Sequence, residues 1–95
     1  MSDSEGSIHT ITGRGLVSAE GCEPVRVRYR LIIDRGAGEV AIRGTLTGRH
    51  AGLRPIWLEP DAQLRLKTGR TLAVSLTDLV GDVAEFETVG PVPDL

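Results

Sequence analysis

Arginine dominates the side chains of this chain that could do chemistry. Ten of its eleven basic residues are arginine, and Lys67 is the exception. Arg26, Arg28 and Arg30 recur at every second position of Val25-Arg26-Val27-Arg28-Tyr29-Arg30-Leu31-Ile32-Ile33. Arg43 and Arg65 lie in later alternating stretches. Arg49 and Arg54 flank His50 and Gly52 in a glycine-containing segment. A guanidinium presents a planar fork that grips carboxylates and phosphates with two hydrogen bonds at once. Such a set points to anion binding.

Other chemistry has little to work with. His9, His50 and Cys22 are the soft metal ligands, and no two stand at ligand spacing. No metal and no cofactor are therefore expected. Asp78 and Asp82, four residues apart, do not make a calcium loop. Ser75 alternates with apolar residues and has no strand-to-helix elbow. Cys22 stands beside Glu23, and an acidic neighbour does not favour a thiolate. Thr12-Gly13-Arg14-Gly15 and Gly36-Ala37-Gly38 are rich in glycine, but neither opens a helix, so the phosphate-cradling geometry is missing. No catalytic residue is assigned, and the protein is expected not to be an enzyme.

The charge is segregated along the chain. The 95 residues carry a net charge of −2, but residues 1–23 carry −3, residues 24–70 carry +6, and residues 71–95 carry −5. A basic middle between acidic ends can pair within one molecule, pair between copies, or offer the middle to an external anion. Aromatic residues are scarce: Tyr29, Trp57 and Phe86 are the only three. That argues against binding single strands by base stacking. No apolar run approaches the ~20 residues that cross a bilayer. The first residues lack the basic and apolar blocks of a secretory signal, and a single cysteine suits a reducing compartment. A cytoplasmic location without membrane contact is expected.

The elements that must position these arginines read as strands. Apolar residues at alternate positions mark a strand with one buried face. Val25–Ile33 is the clearest, with its arginines outward. After a turn-rich segment, residues 40–47 alternate in the same way. Matching the apolar faces predicts Ile33 opposite Val40, Leu31 opposite Ile42, Tyr29 opposite Gly44 and Val27 opposite Leu46. That register sets Arg30 opposite Arg43 and lays the tyrosine ring over Gly44. Gln63-Leu64-Arg65-Leu66 and Thr71–Leu76 form a second hairpin. A three-residue loop with Gly69 left-handed sets Leu64 against Leu72 and Leu66 against Arg70. Val83–Val89 reads as a last strand with Ala84 and Phe86 inward and Glu85 and Glu87 outward. Residues 8–17 form a first strand, interrupted by a bend or bulge at Gly13 and Gly15. Ile56-Trp57-Leu58, between Pro55 and Pro60, reads as a short edge strand or extended arm. No amphipathic helix is evident.

The expectation is a single small all-β antiparallel domain of about six strands over residues 7–89, a meander barrel or a two-sheet sandwich, with tails at 1–6 and 90–95. Arg30 and Arg43, with Arg28 as a near neighbour, need neutralising, by Glu85 and Glu87 if the last strand lies beside this hairpin or pairs with it in a symmetric dimer, or by an external anion. The first functional expectation is non-catalytic protein–protein contact, with a second copy of the chain as partner and Trp57 as an interface anchor. The alternative is nucleic-acid or polyanion binding through Arg26, Arg28, Arg30, Arg43, Arg65, Arg49 and Arg54.

Overall fold

The computed structural model describes residues 8–35 and 40–90. Residues 1–6 and 91–95 of the expected tails, and the Gly36-Ala37-Gly38 segment, lie outside the described residues. Six antiparallel strands close into a barrel: β1 (Ile8–Ala19), β2 (Val25–Asp34), β3 (Ala41–Thr47), β4 (Ala62–Arg65), β5 (Thr71–Val80) and β6 (Val83–Thr88). Around the barrel their order is β1-β2-β3-β6-β5-β4, and β4 returns to β1. One helix, α1 (His50–Trp57), connects β3 to β4.

Alternation decides which residues go inside. On β2 the odd positions Val27, Tyr29, Leu31 and Ile33 are buried while Arg26, Arg28 and Arg30 are exposed. Leu64, Leu72, Val74, Leu76, Ala84 and Phe86 fill the opposite wall. Apart from the Tyr29 phenol, whose ring is counted with the apolar core, no polar or charged residue is buried among the described residues, so every charged side chain there lies at or near the surface. The second hairpin has the expected register: Leu64 faces Leu72, the Leu66 amide donates to the Arg70 carbonyl at 2.7 Å, and Gly69 has φ +94°. On β6, Ala84 and Phe86 point inward and Glu85 and Glu87 outward, as their spacing predicts.

Three expectations need correction. The β2–β3 register is displaced by two residues: Ile33 faces Ile42, Leu31 faces Gly44, and Tyr29 faces Leu46. Arg30 therefore faces Thr45, and Arg43 faces Ile32. A two-residue slip keeps every side chain on its own face, so the apolar pattern admits either register. The tyrosine decides between them by packing elsewhere. Its ring lies against Gly13 and Gly15 of β1, while the Phe86 ring approaches Gly44. Second, Gly13 and Gly15 do not interrupt β1, which pairs with β2 without a break from Ile8 to Val17. They leave room for the Tyr29 ring and, at Gly15, for the Arg65 carbonyl. The ladder breaks instead on β5, between Leu76 and Asp78.

Third, Ile56 and Trp57 belong to a helix. Leu53 and Ile56, one turn apart, are buried against the barrel wall. Pro55 stands inside this helix and forfeits one backbone bond. Its start has no capping side chain of its own, and the β5–β6 turn supplies one. Asp82 Oδ1 accepts from the His50 amide at 3.1 Å, and the Asp82 carbonyl accepts from the Gly48 amide at 2.9 Å. His50 Nδ1 donates to the Gly81 carbonyl at 2.5 Å. A carboxylate at the positive end of the helix is favourable for its charge as well.

Candidate anion-binding face

Residues directly opposite each other on antiparallel strands point to the same side of the sheet. The register therefore gives the outer face of β1, β2 and β3 row by row. Arg14 stands directly opposite Arg28, and Thr47 lies beyond it on β3. One row along, Thr12, Arg30 and Thr45 lie abreast. In the other direction Leu16 stands between Arg26 on β2 and Arg65 on β4. Successive arginines on β2 are ~7 Å apart along the strand, and neighbouring strands are ~4.8 Å apart. Five exposed guanidinium side chains thus share one patch of sheet.

The patch is shallowly concave. A depression of about 570 Å³ is lined by Arg14, Leu16, Arg26, Arg28 and Thr47. A second, of about 430 Å³, shares Arg14, Arg28 and Thr47 and continues to Arg30, Thr12 and Thr45. Charged forks over a floor of threonine hydroxyls can hold an extended anion, such as a row of phosphates or carboxylates.

The structure separates the residues that the sequence groups together. Arg26, Arg28, Arg30 and Arg65 come together on this face. Arg43 does not join their cluster: it stands between Ile32 and Glu87, with an acidic residue directly across from it. Arg49, just ahead of α1, shares with Arg26 the rim of a depression of about 790 Å³ between the β1–β2 turn and the helix. Arg54 is exposed in the last turn of α1. Trp57 is 37% exposed at the end of the same helix.

Arg14 is the member that sequence reasoning missed. Its flanking glycines drew attention to the backbone, and its place opposite Arg28 follows only from the strand pairing. An even position on a strand pairing with Val25–Ile33 was the available signal.

The acidic residues form a face of their own. Asp78 lies opposite Glu85 and Ser75 opposite Glu87 on the outside of β5 and β6. From Arg28 to β6 is two strand spacings, ~10 Å, so Glu85 and Glu87 meet Arg43 and Thr45 rather than the Arg14–Arg28 pair. The barrel is thus polarised, basic over β1–β2 and acidic over β5–β6. Among the described residues no helix is long and apolar enough to cross a membrane, and no three His, Cys, Asp or Glu side chains cluster as metal ligands do. Compared with protein-family models, curated proteins and solved structures, the chain finds no match, and its function must be read from the geometry of this face.

Proposed function

We propose that the protein is a non-catalytic cytoplasmic binding domain whose β1–β2 face holds the phosphate backbone of a nucleic acid. The observation that carries this reading is Arg14 directly opposite Arg28, with Arg26 and Arg30 next along the same strand. Like charges opposite each other in a sheet are destabilising, and an external polyanion relieves them. The threonines add neutral donors for phosphate oxygens. Base reading has no support on this face: Tyr29 and Phe86 are buried, and Trp57 stands on the helix. Contacts to phosphate without contacts to base edges bind every sequence alike.

The test is a titration of mixed-sequence duplex DNA with the protein from low to physiological salt. If all five arginines meet phosphates, log K falls against log salt with a slope of about −4 to −5. Arg28→Glu and Arg14→Glu each weaken binding and flatten that slope. A flat salt dependence, or unchanged affinity in the double variant Arg14→Glu/Arg28→Glu, refutes the reading.

The acidic β5–β6 face favours a second reading, protein contact between copies, with the basic face of one copy on the acidic face of the next. Such contact is head-to-tail and builds chains or rings. It dissolves as salt is added, and light scattering at low salt detects it.

A further inference from the structure

The barrel closes over only part of β1. Leu16–Ala19 pair with β4, whereas the half of the strand before Gly15 pairs with β2 alone among the described residues. Ile8 to Arg14 is therefore an edge seven residues long, and every residue from Ile8 to Thr12 is exposed. Its composition invites a neighbour. Ile8, Thr10, Ile11 and Thr12 are β-branched and suit a strand. Proteins usually blunt such an edge with charged side chains, proline or a bulge; Ile8–Gly13 has no proline, lysine, arginine, carboxylate or bulge, and Arg14 stands only at its end. Ile11 shares the inward side with Leu31, yet it remains 41% exposed, and among the described residues no strand pairs with it on its other side.

We propose that this edge pairs with the same edge of a second copy, antiparallel about a two-fold axis through Ile11. The pairing is self-complementary in three respects. Ile11 lies midway between Ile8 and Arg14, so these seven described residues all find partners. Ile11 then meets Ile11 of the second copy, Thr10 meets Thr12, and Arg14 meets Ile8, so no like charges oppose. Finally, amides and carbonyls facing the edge alternate along a strand. The axis through Ile11 matches odd positions with odd and even with even, so these groups meet whichever set faces outward.

The pairing does not depend on the nucleic-acid reading, but it has a consequence for it. Outward residues of one copy meet outward residues of the other, so the two arginine faces join on one side of a continuous sheet. Arg14 of each copy then stands six residues along from that of the other, ~20 Å.

Light scattering over a range of protein concentrations at physiological salt tests the inference. A mass twice 10.2 kDa is expected at high concentration, and Ile11→Lys, which sets two lysines face to face, returns it to the monomer. A second pair of variants reads the register directly. In a Cys22→Ser background, Ile11→Cys forms a disulfide-linked dimer on mild oxidation, whereas Thr10→Cys, which faces Thr12, does so much more slowly. Three results overturn the inference: a monomer at every concentration, cross-linking at position 10 as fast as at position 11, or a dimer that dissolves in salt and ignores Ile11→Lys. The last is the signature of charged faces meeting instead. DNA binding separates the two proposals. If Ile11→Lys still binds DNA, the arginine face functions alone. If the wild-type dimer forms but does not bind, only the nucleic-acid reading fails.

Discussion

Replacing Arg14 by glutamate is expected to make the protein more stable while it weakens its binding. Arg14 and Arg28 are directly opposite on the outer face, with Arg26 and Arg30 diagonal to Arg14. A like-charged cross-strand pair costs about 0.2–1 kcal/mol, and an opposite-charged pair contributes a similar amount. The swing from Arg–Arg to Glu–Arg is therefore about 0.5–2 kcal/mol, less a few tenths for the poorer strand propensity of glutamate. In a domain of this size 1 kcal/mol moves the melting temperature by about 4–8 °C, so Arg14→Glu gains several degrees at low salt. Screening shortens from about 10 Å at 0.1 M salt to about 3 Å at 1 M, and the gain shrinks accordingly. Arg14→Glu/Arg28→Glu restores opposition between like charges and returns the melting temperature towards that of the wild type. DNA affinity falls in both variants. Thermal melts at low and high salt, with binding measured on the same samples, decide the matter. A lower melting temperature for Arg14→Glu at low salt, or a double variant as stable as the single, refutes the argument that this face carries unrelieved repulsion.

Other expectations concern the scaffold. Gly44→Ala drives a Cβ into the Arg30 carbonyl and is expected to cost about 1–3 kcal/mol in chemical denaturation. Leu53→Ala empties a fully buried site under α1 and should cost about 2–5 kcal/mol, whereas Trp57→Ala, at a half-exposed site, is expected to cost much less. Asp82→Ala removes the cap that the β5–β6 turn lends to the helix, with an expected loss of about 1 kcal/mol and faster amide exchange at His50.

The strands that alternate cleanly were legible because one face of each is buried. On β2 and β6 a single rule, apolar in and charged out, sorts nearly every residue. The tight turn at Gly69 added its own register. The helix was not legible, for a local reason. It is two turns long, buries only Leu53 and Ile56, contains Pro55, and takes its cap from Asp82, more than thirty residues further on. None of those features reads as a helix start in a window of sequence. The β2–β3 register was hidden for a different reason: both alternatives bury the same residues, and the choice falls to the Tyr29 ring, whose place depends on β1. The arginine face was half legible. Arg26, Arg28 and Arg30 announce themselves on one strand, but Arg14 and Arg65 join them only through pairing between distant segments, and Arg43 is drawn off by Glu87.

Tyr29 also bears on how the barrel opens. The β1–β4 seam consists of four residue pairs, against ten between β1 and β2. Its two strands are separated by nearly half of the chain, so it pays the largest loop-closure entropy of the seams around the ring. Beside it the Tyr29 hydroxyl accepts from the Lys67 amide at 3.1 Å, while the ring rests on the glycines of β1. A side chain from β2 thus reaches across β1 to the far side of the seam and acts as its latch. Cooperative units open where they are least held, and here that place is a slit along β1 with a tyrosine bolt. The seam should close last in folding and part first in the native state, and a chain with Phe at position 29 would keep the barrel but leave the slit unbolted.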